Sequence, residues 1–247
     1  MPNRRNSSIC LEVQNLVKSY GGRRVVNGLS FKVHCGEIVG LLGPNGAGKT
    51  TAFYMTVGLI RPEEGQVFFR EKDVTYAPMH KRALMGMGYL AQEPSVFRNL
   101  TVEENILCIL ESLPISKQER KQQLEELLGE LHLEHLAKKK AAALSGGERR
   151  RVEITRALVT KPSFLMLDEP FANIDPLSVQ DVKHLIRHLA QKQISILITD
   201  HNAREIFSVV DKSYLVQEGR VAFEGNVEEL INNEETRRTY LGSDFKM

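Results

Sequence analysis

The chain has 247 residues, enough for one large domain or two small lobes whose core needs no disulfide staples. With 42% hydrophobic and 26% charged residues it is balanced like a globular protein, and a formal net charge of +2 argues against a dedicated nucleic-acid binder, which carries a strong basic excess. No apolar run approaches the ~18 residues a bilayer span needs, and the opening MPNRRNSSIC has no apolar stretch after its arginines, which argues against a secretory signal, so a membrane role is expected to come through a partner.

The polar residues 1–8 are expected to fray. Residues 9–35 alternate polar and β-favouring side chains and predict strands around a turn at Gly21-Gly22. Residues 38–42 predict a buried strand that runs into Gly43–Gly48 and then a helix from about 49 to 59. Further strands are expected at 66–70 and 87–91. From 93 to 160 the pattern is helical. Thr101 with Glu104 and Ser116 with Glu119 match capping boxes, and Leu124, Leu127, Leu128 and Leu131 make a core stripe. After 160, strands at 164–167 and 195–199 bracket a helix that starts at Pro176 and carries Val179, Val182, Leu185, Ile186 and Leu189 on one face. Residues 213–216 and 221–223 predict a hairpin. Lys138-Lys139-Lys140 reads as a solvated loop. Cys10, Cys35 and Cys108 are far apart in sequence without a C-x-x-C pair, and are expected to be packed or idle thiols rather than a metal site or disulfide framework.

Three segments carry chemistry. Gly43-Pro-Asn-Gly-Ala-Gly-Lys49-Thr50 fits G-x-x-x-x-G-K-[ST]. Its glycines let several backbone N–H groups point at one phosphate, the following helix adds its positive end, Lys49 adds a mobile charge, and Thr50 offers a hydroxyl to Mg²⁺. Phe164-Leu-Met-Leu-Asp168-Glu169 is an apolar strand ending in two carboxylates. A turn there would let Asp168 face a metal and Glu169 face an attacking water. Leu144-Ser145-Gly146-Gly147-Glu148 opens a helix with Ser145 as N-cap. The plain reading is a well-capped helix, but two glycines cost ~1 kcal/mol each relative to alanine. They are explained if an anion approaches this helix end closely.

Phosphate loop, Leu-Ser-Gly-Gly-Glu run, Asp-Glu strand end and a downstream histidine, in this order over residues 9–242, resemble the ABC ATPases. The resemblance implies an α/β P-loop ABC ATPase core (residues 9–92 and 161–247) with an antiparallel β subdomain and an inserted helical subdomain (93–160). It implies ATP and Mg²⁺ as ligands and a homodimer in which Ser145, Gly146 and Gly147 of one subunit cap the ATP held by the other. The phosphate contacts would come from Gly43, Asn45, Gly46, Ala47, Gly48, Lys49, Thr50 and Thr51. Tyr20 would stack on adenine, and Thr50, Gln92 and Asp168 would serve the metal. Glu169 and His201 would be catalytic, and Asp175 would lie at the subunit boundary. Glu148 stands where glutamine is commoner and keeps the capping role, and Asn173-Ile174 departs from the usual residues of its loop.

Phe53-Tyr54-Met55, Glu148-Arg-Arg-Arg-Val-Glu-Ile154, Pro170-Phe-Ala, Ile198-Thr-Asp-His-Asn-Ala-Arg-Glu205 and Tyr240-Leu-Gly-Ser-Asp-Phe245 resemble more narrowly the ATPases of lipopolysaccharide-transport exporters. That likeness implies separate permease chains as partners, no nucleic acid, and a peripheral place on the cytoplasmic face of the inner membrane. An importer ATPase of the branched-chain amino-acid type is the alternative. The stretch from Gln92 to Ser145 is too short for the coiled coil of repair ATPases, and a single ATPase unit argues against translation factors. The presence of Glu169 and His201 argues against a regulatory module without turnover. Phe97, in a turn-like stretch after Gln92, either packs under the helical lobe or lines a groove that receives a short permease helix.

Overall fold

The computed structural model describes residues 8–242 and 245. Of the segment expected to fray, residues 1–7 lie outside the described residues, and Ser8 accepts a hydrogen bond from Cys35 N–H through its carbonyl. In chain order the elements are β1 (Ile9–Tyr20), β2 (Arg23–His34), β3 (Ile38–Leu42), α1 (Lys49–Val57), β4 (Glu64–Phe69), β5 (Lys72–Asp73), α2 (Met79–Leu84) and β6 (Met87–Leu90). The helices α3 (Val102–Leu110), α4 (Lys117–Glu130) and α5 (Gly146–Leu158) follow. The chain continues with β7 (Phe164–Asp168), α6 (Pro176–Gln191), β8 (Ser195–Thr199), α7 (Ala203–Phe207), β9 (Lys212–Gln217), β10 (Arg220–Gly225) and α8 (Val227–Asn232).

The strands form two sheets. One is antiparallel, in the order β2-β1-β4-β5; the other runs β10-β9-β3-β8-β7-β6 and is parallel except for its β10 edge. Strands buried on both faces read as unbroken apolar runs, which is why β3, β7 and β8 were legible as short hydrophobic segments. Their side chains alternate between two cores. Val39, Leu41, Phe164, Met166 and Leu197 join the core shared with α1 and the antiparallel sheet. Ile38, Leu42, Leu165, Leu167, Ile196 and Ile198 join the core shared with α3 to α6. The parallel sheet is therefore the middle layer, and the helices α3 to α5 build outward from one face of it.

Local chemistry sets the element ends. The β1–β2 turn uses Gly21 and Gly22 at φ 56° and 80°, a conformation that pairs well with twisted hairpin strands. Thr101/Glu104 and Ser116/Glu119 form reciprocal capping boxes at α3 and α4, each contributing on the order of 1 kcal/mol. α1 stops at Val57, short of the expected 59, because Gly58 turns left-handed and its N–H closes on the Tyr54 carbonyl. Among the elements that were not expected are β5, α2, α7 and α8. α2 is held by Arg82, which is 1% exposed and donates to the carbonyls of Ala77, Met55, Thr56 and Thr75; burial lowers its pKa to about 10. A six-residue helix fixed by one arginine to backbone carbonyls leaves no hydrophobic period to read.

Phe97 is 51% exposed. Its backbone is pinned, because Asn105 Oδ1 accepts from Phe97 N–H at 2.8 Å and Asn105 Nδ2 donates to the Phe97 carbonyl at 3.0 Å. The ring is turned out under the Arg156 guanidinium, 5.0 Å from its centroid. Of the two readings of this residue, packing beneath the lobe is not the one found.

Candidate functional site

Because β3, β6, β7 and β8 are parallel, their C-terminal ends lie along one sheet edge, where open α/β sheets bind ligands. The loop after β3 is the glycine-rich segment. The segment after β6 holds Gln92, and β7 and β8 are followed by Glu169 and by Asp200-His201. A cavity of about 150 Å³ opens there, walled by Asn45 to Thr51 on one side and by Val25, Glu169, Thr199 and Asp200 on the other.

The loop is shaped by steric need. Gly48 sits at φ 99°, and a Cβ on it would lie 2.4 Å from the Val25 carbonyl of β2. Only glycine permits that approach, which brings the loop and the N-terminus of α1 under the antiparallel sheet. Lys49 Nζ folds back onto the carbonyls of Gly43 (2.7 Å) and Pro44 (3.0 Å). Burial lowers the Lys49 pKa, opposed by the charges of Glu169 and Asp200. This is a cation held ready beside a cluster of N–H groups, the arrangement a phosphate group requires.

Asp168 is 2% exposed. Its Oδ1 accepts from Thr199 Oγ1 at 2.6 Å, while Oδ2 is buried without a hydrogen-bond partner. Burial, with the neighbouring Glu169 charge, raises its pKa. An orphaned, desolvated carboxylate oxygen at this edge fits a cation. Among the described residues no three His, Cys, Asp or Glu side chains converge as a complete metal centre. Such an oxygen fits a cation like Mg²⁺, which takes one or two protein oxygens and shares the rest with water and substrate phosphates.

Glu169 adopts φ 45°, and its N–H donates to the Thr199 carbonyl at 2.9 Å. That change of direction sends its side chain away from Asp168's buried partner and into the cavity mouth. There Gln92 Nε2 donates to Glu169 Oε2 at 2.9 Å, and His201 Nδ1 lies 3.4 Å from the same oxygen. Three residues 109 positions apart in sequence at their extremes thus meet at one carboxylate.

Ser145, Gly146 and Asp175 gather at a different place. Ser145 caps α5 with Glu148 in a capping box, and Asp175 caps α6 by accepting from Leu177 N–H (3.1 Å) and Ser178 N–H (3.0 Å). A Cβ on Gly146 would stand 3.1 Å from the Asn173 carbonyl. None of these residues lines the phosphate-loop cavity. Gly147 has a steric requirement of its own besides the expected approach of an anion. It is buried, and a Cβ there would fall 2.2 Å from Ser178 Oγ, so the close approach of α5 to α6 alone requires glycine. Tyr20, at the tip of β1, is 49% exposed and is not part of the cavity wall; the Lys18 ammonium lies 5.7 Å over its ring.

Two contributors were missed in the sequence. Arg150, 5% exposed, donates to the carbonyls of Ala91, Asp168, Glu169 and Pro170 and pairs with Glu153 at 3.0 Å. It ties α5 to the backbone at the ends of β6 and β7. Its spacing from Gly147, Ile154 and Leu158 puts it on the buried face of α5, which was the available signal. Tyr54 lies one helical turn after Thr50 on α1. Burial and the Asp168 charge push its phenol up.

The model of the family described as ABC transporter matches residues 26–172. The lipopolysaccharide export system ATP-binding protein LptB of Acidithiobacillus ferridurans is 52% identical, covering 96% of this chain and 98% of that protein. LptB of Escherichia coli (strain K12) is 48% identical over 96% of this chain and 99% of its own length. Among solved structures, the ADP conformation of MJ1267, an ATP-binding cassette of an ABC transporter, superposes with a TM-score of 0.86 at 30% identity, covering 96% of this chain and all of that one.

Proposed function

Since this chain belongs to the ABC transporter ATPase family, we propose that it hydrolyses ATP as one half of a homodimer whose closure drives a lipopolysaccharide-exporting permease. The observation that carries the catalytic part is the convergence of Gln92 and His201 on Glu169 at the mouth of the phosphate-loop cavity. Substrate phosphates bind to the loop N–H groups and the α1 N-terminus, and Lys49 exchanges its two backbone carbonyls for phosphate oxygens. Thr50 and Asp168 Oδ2 would hold Mg²⁺, which supplies neutralisation of phosphate charge when bound. Glu169 aligns the attacking water and accepts its proton, and Gln92 and His201 fix the rotamer of that carboxylate. Losing such a positioned base removes a factor of about 10² to 10⁴.

Ser145, Gly146 and Gly147 act on the ATP of the second subunit, where the Ser145 hydroxyl and the N-terminal N–H groups of α5 meet the γ-phosphate; their place outside the cavity of their own chain supports this reading. Asp175, capping the adjacent helix, borders that contact. Tyr20 stacks on the adenine. Among the described residues no helix is long and apolar enough to cross a membrane. Separate integral-membrane subunits receive the work at the cytoplasmic face, through the surface that begins at Gln92 and presents Phe97.

Near full-length likeness to relatives named for lipopolysaccharide export supports that cargo over the amino-acid importer. Purification of the tagged chain from detergent-solubilised membranes tests the assignment. Integral-membrane permease subunits should co-purify, and after reconstitution with them ATP should drive lipopolysaccharide out of the vesicles. Release independent of ATP, or co-purification of an amino-acid permease instead, would reject it.

A further inference from the structure

Cys10 and Cys35 lie far apart in sequence, but the first sheet brings them together. In the β1–β2 pairing Ile9 faces His34, and just beyond it Cys35 N–H donates to the Ser8 carbonyl at 3.0 Å. The register shifts between Ile9 and Leu11, and this irregularity leaves Cys10 on the buried side beside Leu11 rather than alternating outward. The result is a pair of thiols at the same end of two neighbouring strands: Cys35 follows His34, which pairs with Ile9, and packs against the core cluster that contains Cys10. Cys10 is 1% exposed, Cys35 is partly exposed, and both are reduced. Ser8 Oγ donates to Cys35 Sγ at 3.2 Å, so the outer sulfur has a polar neighbour and a route to solvent. The residue after Cys35 is tied to the parallel sheet, its Gly36 N–H donating to the Ser195 hydroxyl at 3.0 Å.

We propose that Cys10 and Cys35 form a reversible intramolecular disulfide when the protein meets a hydroperoxide, with Cys35 as the sulfur attacked first and Cys10 as the resolving thiol. In the first step the Cys35 thiolate attacks a peroxide oxygen, the O–O bond breaks, and Cys35 becomes a sulfenic acid with release of hydroxide. In the second step Cys10 sulfur attacks the Cys35 sulfur. The S–OH bond breaks, the departing hydroxide takes the Cys10 proton, and the products are the disulfide and water. Two electrons pass from the thiol pair to the peroxide. Any cellular or added dithiol returns them by exchange.

The bond has a defined mechanical effect. It encloses residues 11–34, the hairpin whose tip carries Tyr20 and whose Val25 carbonyl packs on Gly48 of the phosphate loop. A staple around that hairpin removes unfolded-state freedom, so the oxidised protein is the more stable form. Burial pushes the Cys10 thiol up, which slows the second step and gives the Cys35 sulfenic acid a measurable lifetime.

The test uses the full chain with hydrogen peroxide as the probe. The protein is oxidised, its remaining thiols are blocked with N-ethylmaleimide after denaturation, and peptides are mapped without reduction. The expected product is a Cys10–Cys35 linked peptide lighter by two hydrogens, with Cys108 carrying the blocking group, a Tm raised by several degrees, and full reversal by dithiothreitol. In Cys10→Ser the Cys35 sulfenic acid should persist and be trapped by dimedone, and no rise in Tm should follow. A Cys35 that runs on to sulfinic acid in the wild type while Cys10 remains blockable would overturn the proposal. So would a disulfide found only between chains or only through Cys108.

Discussion

Gln92 Nε2 and Glu169 Oε2 are 2.9 Å apart, and this contact joins the end of β6 to the end of β7 at the mouth of the phosphate cavity. A single carboxylate oxygen shared by Gln92 and His201 has little freedom to turn. Glu169→Gln replaces the acceptor by an amide that cannot take a proton from water while filling the same space. Hydrolysis should fall by at least about 10²-fold with ATP affinity unchanged, as single-turnover kinetics and nucleotide titration would reveal. Turnover near wild type would remove Glu169 from its proposed role.

Asp168 gives a prediction in which stability and function move in opposite directions. Its folded pKa is raised, so the folded chain binds that proton more tightly than the unfolded chain does. The corresponding stability is complete below the unfolded carboxylate value, about 4, and is lost as pH rises through the raised value. In the nucleotide-free protein the charged form of Asp168, buried and half-satisfied, is therefore the destabilised one. Asp168→Asn keeps an acceptor for Thr199 and removes that charge. It should raise the Tm of the nucleotide-free protein at pH 7 and weaken the fall in Tm from pH 4 to 7, while Mg²⁺ no longer strengthens nucleotide binding. A Tm lowered at pH 7 would contradict this account of the site.

Tyr54 bears on the same carboxylate from α1. Tyr54→Phe keeps the ring and loses only the hydroxyl on which the Asp168 charge acts. The Mg²⁺ concentration needed for half-maximal nucleotide binding should rise several-fold with the Tm within a degree or two of wild type. An unchanged Mg²⁺ dependence would leave Tyr54 as packing alone.

How much of this was legible in advance depended on whether the signal was local. The phosphate loop, the Asp168-Glu169 strand end and the capping boxes announce themselves because the physics acts over a few neighbouring residues. The meeting of Gln92, Glu169 and His201 was expected through family likeness, since it depends on the order of parallel strands and no spacing encodes it. Arg150 was missed because a charged residue among three arginines reads as surface, although four carbonyls satisfy it inside. The steric requirement that Ser178 on the next helix places on Gly147 was not visible, because it depends on how α5 meets α6. The neighbouring thiols of Cys10 and Cys35 were hidden by an irregularity in strand register.

Phe97 separates packing from partner capture. Its ring is half exposed and contacts Arg156, while Asn105 holds the backbone independently of the side chain. Phe97→Ala should shift the Tm of the isolated subunit little, spare ATP affinity and reduce permease recovery in pull-down, since a buried aromatic anchor contributes about 2 kcal/mol or more at an interface. Loss of stability with recovery unchanged would assign the residue to the fold instead.

The central claim is that Ser145 completes the site of a second subunit, and sedimentation of the Glu169→Gln protein tests it most directly. With Mg²⁺ and ATP this variant should sediment as a dimer and without nucleotide as a monomer. Adding Ser145→Arg, which places a long cation at the α5 N-terminus, should leave it monomeric under both conditions with ATP still bound. A sedimentation coefficient unchanged by ATP, or a dimer that survives Ser145→Arg, would contradict the account.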